Sequence, residues 1–229
     1  MPDLCLFDLD DTLLPFDSDH AWGEFVCGLG WVDGDAFRAC NEAFFADYRA
    51  GTLDIHAYVA FSTRPLQVRD AATLAAAQAR FMRQVVAPRI RPAALDLVRG
   101  HRERGDLIAL VTATKEFVTA PIAAAFGIGH LIAVRLERDA AGTITGRIDG
   151  TPSFREGKVA RVDEWLQDLG RRWSDFASTT VYSDSANDLP LLERASRPVA
   201  TNPSAPLEAL ARERGWRTVR LFDDQDTDR

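Results

Sequence analysis

Leu4-Cys5-Leu6-Phe7-Asp8-Leu9-Asp10-Asp11-Thr12 decides how this chain folds. An apolar run broken at once by acids reads as a short buried strand that delivers Asp8 and Asp10 at its carboxyl end. Residues two apart on extended backbone point to the same side. In open α/β sheets, the carboxyl ends of strands are where ligands bind. Two such acids can divide the work, one attacking an electrophile while the other moves a proton, and together they can hold a hard divalent cation. Acids at this position would also serve simply to end a strand and open a turn. What the other strand ends carry separates the two possibilities.

Further β-rich runs lie near Leu107–Val111, Leu131–Leu136, Thr179–Tyr182, Pro198–Ala200 and Thr218–Leu221. Helical patterns at Pro92–Arg104, Phe117–Phe126, Lys158–Leu169 and Leu189–Ala195 separate most of them. Strands alternating with helices predict an α/β fold, a doubly wound, mainly parallel sheet covered on both faces. Gly105-Asp106 is a helix-ending signal just before the second strand. Arg138–Gly150, with its three glycines, predicts a small hairpin or loop excursion.

Between the first two core strands the chain inserts a long helical segment. Trp22, Phe25, Val26, Phe37, Phe44 and Tyr48 recur in it at helical spacing, and Ala71–Val86 is alanine-rich and amphipathic. The expected division is a core of residues 1–15 and 89–229 and a helical subdomain of residues 16–88. Inserted after the first strand, that subdomain would sit above Asp8 and Asp10, excluding water and selecting the substrate.

Bulk properties narrow the function. A formal net charge of −7 argues against nucleic acid or an anionic membrane surface as partner. A hydrophobic content of 46% supports a real core. Cys5, Cys27 and Cys40 follow no zinc spacing and leave an odd thiol for any disulfide scheme, so all three are expected reduced, in a cytoplasmic protein. The start of the chain lacks a signal-peptide pattern, and no apolar run is long enough to span a membrane. The acidic tail Asp223–Arg229 is expected to be frayed. Composition leaves open a monomer or a homodimer.

Three other strand ends or helix starts carry polar groups. Thr112-Ala113-Thr114 follows Leu107–Val111, where the Thr112 hydroxyl and backbone amide could bind an anion at a helix start. Glu156-Gly157-Lys158 precedes the helix Val159–Leu169, where an ammonium could neutralise a phosphoryl oxygen, and the chain has only two lysines, Lys115 and Lys158, among 27 basic residues. Ser183-Asp184-Ser185-Ala186-Asn187-Asp188 follows Thr179–Tyr182 and repeats the pairing of acids after a strand. Each alone would pass for a helix cap or a surface charge.

Asp8, Asp10, Thr112, Lys158, Asp184 and Asp188, in that order, resemble the four motifs of the haloacid dehalogenase-like (HAD) phosphohydrolases. The resemblance covers essentially the whole chain. The insert and Ser183–Leu189 resemble the phosphoserine phosphatase-like branch, subfamily IB, whose helical cap occupies the same place. The resemblance implies a Mg²⁺-dependent phosphomonoesterase working through an aspartyl-phosphate. Asp8 would be the nucleophile and Asp10 the acid–base. Mg²⁺ would be held by Asp8, Asp184 and the backbone carbonyl of Asp10. Thr112, Ala113 and Lys158 would bind the phosphoryl group, with Asp188 and Asn187 in support. A phosphotransferase or phosphomutase would share the first half of this chemistry.

For the substrate, the resemblance places Asp17 where the branch meets a substrate ammonium, with Asp19 adding charge beside it. The arginine that phosphoserine phosphatases use for the substrate carboxylate falls on Ala60, and neither Arg49 nor Arg64 is in register. A desolvated carboxylate needs a paired donor. A phosphorylated amine without a carboxylate, such as histidinol phosphate, is therefore favoured over phosphoserine. His20, His56, His101 and His130 show no metal spacing.

Overall fold

Residues 2–222 are described by the computed structural model of the chain; the tail 223–229 lies outside the described residues. After strand β1 (Leu4–Phe7) come helices α1 (Ser18–Gly28), α2 (Gly34–Ala50), α3 (Ile55–Ser62), α4 (Arg64–Gln67) and α5 (Ala71–Phe81). Aspartate side chains cap three of them. Asp17 accepts the N–H groups of Asp19 and His20, Asp54 those of His56 and Ala57, and Asp70 that of Thr73. Each satisfies donors that a helix's first turn leaves unpaired. Gly51, in the left-handed region at φ 72°, ends α2. The helix expected over Ala71–Val86 is α at first and widens to a π turn at Met82–Val86.

The chain then alternates: α6 (Pro92–Glu103), β2 (Leu107–Lys115), α7 (Glu116–Ala125), β3 (Leu131–Val134). A two-stranded antiparallel hairpin follows, β4 (Leu136–Arg138) with β5 (Ile144–Ile148). The expected Leu131–Leu136 strand is thus split at Arg135. The rest runs α8 (Glu156–Asp168), β6 (Thr179–Ser183), α9 (Leu189–Arg194), β7 (Arg197–Thr201), α10 (Ala205–Arg214) and β8 (Arg217–Val219).

Six strands form one sheet in the order β3-β2-β1-β6-β7-β8, every pair parallel. Chain order reverses between β1 and β6, and such a switch point leaves a crevice at the carboxyl ends of the two strands. Those ends carry Asp8 and Asp184.

Strand alternation sorts the core into two layers. Cys5, Phe7 and Leu110 face α6, α7 and the inserted helices, packing with Ala94, Val98, Val118, Trp22 and Phe81. Leu4, Leu6, Ala109 and Val111 face the other way, onto Val162, Leu166, Leu191, Leu192 and Leu207 of α8, α9 and α10. β1 is fully buried on both sides, which explains its unbroken apolar reading. All three cysteines are free thiols. None of the described helices is long and apolar enough to cross a membrane.

Candidate active site

β1 pairs with β6 up to Phe7 and Tyr182, and the Asp8 amide donates to the Tyr182 carbonyl at 2.9 Å. The two strands therefore release their acidic loops side by side. Thr12, fully buried, joins them. Its hydroxyl lies 3.3 Å from Asp8 Oδ2 and 3.1 Å from Asp184 Oδ1, and it accepts the Asp184 N–H at 3.0 Å. Two carboxylates within reach of one hydroxyl repel each other. Burial, then the charge of Asp8, pushes the Asp184 carboxyl well above the usual range.

Lys158 is the counter-charge. Buried in the first turn of α8, its Nζ donates to Asp8 Oδ1 at 2.8 Å and Asp188 Oδ2 at 2.7 Å. Burial alone would lower its pKa, but Asp188 and Asp8 outweigh that and raise it. Asp188 also accepts from the Ser183 hydroxyl at 2.8 Å. Burial pushes its carboxyl up to about 6, with Lys158 pulling the other way.

Asp10 is held on both oxygens. Oδ1 accepts the Ser18 N–H at 2.7 Å and Oδ2 accepts the Thr114 hydroxyl at 2.8 Å. Burial, followed by the charge of Asp17, raises this carboxyl well above its ordinary range. The direction of that shift favours the protonated form, the form a general acid starts from.

Thr112 and Ala113 do not stand at a helix start. β2 runs on through Lys115 before α7 begins, so the Thr112–Thr114 segment is the strand's own carboxyl end, and the Thr112 Oγ accepts the Thr114 N–H at 3.1 Å. Extended pairing with β3 reaches as far as Lys115, opposite Val134, and delays the helix. Conversely α8 starts two residues before Lys158, and Gly157 makes this possible: a Cβ there would lie 2.1 Å from the Pro152 carbonyl oxygen.

Asp8, Asp10, Asp17, Asp19, Thr112 and Ala113 line one pocket between the sheet and the insert, walled by Phe44, Phe45, Tyr48 and Tyr58. The empty space there, open solvent included, is about 510 Å³. Lys158, Asp184 and Asp188 join this group through Asp8 and Thr12. Asn187 reaches across to the insert, donating to the Tyr48 carbonyl at 3.1 Å. Asp19 is engaged elsewhere: buried Lys115 donates to it and to the Ser62 hydroxyl. Ala60, Arg49 and Arg64 are not among the pocket's lining residues.

Three participants escaped the sequence. Thr12 and Thr114 were legible in part, since each follows a flagged residue by two or four positions on the same strand end. Lys115 shared the rarity of Lys158 but gave no sign of its partner, 96 residues away.

The donors suit a hard cation: oxygen atoms alone, carrying more negative charge than Lys158 offsets. Among the described residues no three His, Cys, Asp or Glu side chains gather into a metal cluster. Mg²⁺ would need only one or two carboxylates, with water completing its shell.

Comparison with known proteins places the chain. Residues 5–193 match the haloacid dehalogenase-like hydrolase family. The protein belongs to that family. It is 42% identical over 216 residues to the histidinol-phosphatase of Neisseria meningitidis serogroup C (strain 8013), covering 94% of this chain and 97% of that one. A crystal structure from Bordetella pertussis Tohama I, a protein of unknown function, superposes with a TM-score of 0.92 at 48% identity, over 97% of this chain and 100% of the other. A substrate-bound phosphoserine phosphatase shares the fold at a TM-score of 0.68 and 17% identity, covering 98% of this chain and 95% of its own. As a HAD hydrolase with phosphatase relatives, this chain is a phosphomonoesterase.

Proposed function

We propose that this HAD phosphatase hydrolyses a small phosphorylated amine lacking a carboxylate, with histidinol phosphate the favoured substrate, by way of an aspartyl-phosphate and with Mg²⁺ bound. The observation that carries the substrate class is the charge of the pocket. Four aspartates line it and no arginine or lysine does. Lys115 neutralises Asp19, which leaves Asp17 to receive a cation. Asp17 Oδ1 accepts two backbone N–H groups as the cap of α1, and Oδ2 has no hydrogen-bond partner among the described residues. Phosphoserine would bring a carboxylate into this acidic pocket without a partner. The aromatic wall of Phe44, Tyr48 and Tyr58 suits an imidazole ring. The histidinol-phosphatase relative supports the same substrate.

In the proposed reaction Asp8 attacks phosphorus in line and the ester P–O bond breaks. Asp10 gives its proton to the departing alkoxide, oriented by the Thr114 hydroxyl and the Ser18 amide. Asp10 then takes a proton from water as that water attacks the aspartyl-phosphate, and the bond to Asp8 breaks to free phosphate. Lys158 balances charge on Asp8, and Thr112 and Ala113 hold phosphoryl oxygens. Mg²⁺, on Asp8, Asp184 and the Asp10 carbonyl, would supply charge neutralisation for the phosphoryl group. Residues 16–88 act as a cap over the core formed by 1–15 and 89–229.

Phosphate release from histidinol phosphate, phosphoserine and sugar phosphates, with and without Mg²⁺, tests this. Histidinol phosphate should have the highest kcat/KM, and Asp8→Asn should abolish turnover. A preference for phosphoserine would overturn the substrate class, and activity in Asp8→Asn would remove the nucleophile.

A further inference from the structure

Pairing between β1 and β6 stops at Phe7 and Tyr182, and β6 pairs with β7 only as far as Ser183, so Asp8 and Asp184 stand just past the ladders. Like charge drives them apart. Besides Thr12 and Lys158, the loop between β7 and α10 supports both acidic loops. There Asn202 stands in the left-handed region, at φ 44°. Its Nδ2 donates to two carbonyls of the first loop, Asp11 at 2.9 Å and Thr12 at 3.1 Å. Its Oδ1 accepts the Leu221 N–H at 2.7 Å, and its own N–H bonds the Val219 carbonyl at 2.8 Å. Two residues on, Ser204 donates both its N–H, at 2.9 Å, and its hydroxyl, at 3.0 Å, to the Asp184 carbonyl.

A single short loop thus holds the backbone of both acidic loops. The first is gripped at the residue whose hydroxyl touches Asp8 and Asp184, the second at Asp184 itself. Asparagine suits the position twice over. It tolerates the left-handed backbone, and its amide supplies donors on one side and an acceptor on the other. Aspartate would set a carboxylate against two carbonyl oxygens.

We infer that Asn202, seconded by Ser204, is a positioning residue that fixes the separation of Asp8 and Asp184 and thereby the Mg²⁺ affinity and the line of attack. This rests on the proposed aspartyl-phosphate chemistry. Groups that hold the surroundings of metal ligands commonly change affinity or activity by about 10–100-fold when removed.

The test compares the unaltered protein with Asn202→Gly, which keeps the backbone conformation but strips the amide, with Asn202→Asp, and with Ser204→Ala. Mg²⁺ binding is measured by calorimetry without substrate, alongside kcat, KM and the melting temperature. Asn202→Gly should weaken Mg²⁺ binding about tenfold and lower kcat by a similar factor, with KM for the ester little changed because the pocket lining lies on other loops. Asn202→Asp should be worse and Ser204→Ala milder, and raising Mg²⁺ should recover part of the lost kcat. Wild-type Mg²⁺ affinity in both Asn202 variants, with only the melting temperature reduced, overturns the inference. Absence of hydrolysis in the unaltered protein overturns the functional reading instead, and the calorimetric comparison still decides the role of Asn202. An unaltered protein that binds no Mg²⁺ overturns both.

Discussion

Lys115, at the end of β2, and Asp19, in the first turn of α1, form an ion pair that is almost wholly buried, with side-chain exposures of 1% and 8%. The pair ties a core strand to the inserted helices, and the ammonium also sits 5.4 Å from the Tyr58 ring centre. Removing one partner of a buried pair strands the other charge and typically costs about 3–5 kcal/mol. Lys115→Met should therefore destabilise the protein by about that amount in urea unfolding. The double variant Lys115→Met/Asp19→Leu should recover much of the loss, because two apolar groups leave no charge behind. Equal losses in the single and double variants would contradict the pair's role.

Gly157 is where a helix-favouring alanine cannot go. The 2.1 Å approach to the Pro152 carbonyl is with backbone, which has no flexible end to move aside. Gly157→Ala must shift the start of α8, and with it Lys158 one residue later. Overpacking of this kind costs about 1–3 kcal/mol. Activity should fall further than that destabilisation explains, since Lys158 would leave Asp8. Steady-state kinetics well below the melting temperature would show it; near-normal kcat would mean that α8 absorbs the methyl group elsewhere.

The C-terminal end of α2 is fastened to the core at two carbonyls. Arg155 donates to Gly51 and Asn187 donates to Tyr48. Both donors stand close in sequence to site residues, Arg155 three before Lys158 and Asn187 one before Asp188. Charged and amide donors at a helix C-terminus satisfy its last carbonyls and complement its dipole. Arg155→Ala should loosen the insert over the pocket. Loss of about 1 kcal/mol shifts an open–closed balance about fivefold. KM should rise by roughly that factor, with faster proteolysis in the segments joining the insert to the core. Unchanged KM and protease resistance would show that the aromatic packing alone holds it.

Burial pushes the Asp17 carboxyl up to about 7, against the two backbone N–H groups it accepts. The sign of its effect follows. Above pH 7 Asp17 is a carboxylate and attracts an ammonium; below it, the proton must leave before the ion pair can form. KM for an amine-bearing ester should rise as pH falls below about 7, approaching tenfold per unit. An amine-free ester with the same phosphate ionisation should show no such rise. In Asp17→Asn the two esters should behave alike. A wild-type KM equally pH-dependent for both would place the ammonium elsewhere.

Much of the fold was written locally. The buried run Leu4–Phe7 ending in Asp8 and Asp10 needs only strand alternation to be read, and the helical insert announces itself by aromatic and alanine spacing. Lys158 stood out because the chain spends arginine nearly everywhere else. Thr-Ala-Thr has the polarity of a cap and so predicts a helix start at Thr112, where the structure has the end of β2. Pairing with β3 as far as Lys115 kept it extended instead, and no local pattern reveals a neighbouring strand's length.

Alone, the order of residues determined the alternating architecture and the acids at its strand ends, since both follow from periods of two and 3.6 along the chain. Only folding decided which charges meet. It gave Lys115 to Asp19 across 96 residues and Lys158 to Asp8 across 150, and it set Asn202 behind Thr12. Those pairings depend on burial and distance in three dimensions, where residues far apart in the chain share one low-dielectric space.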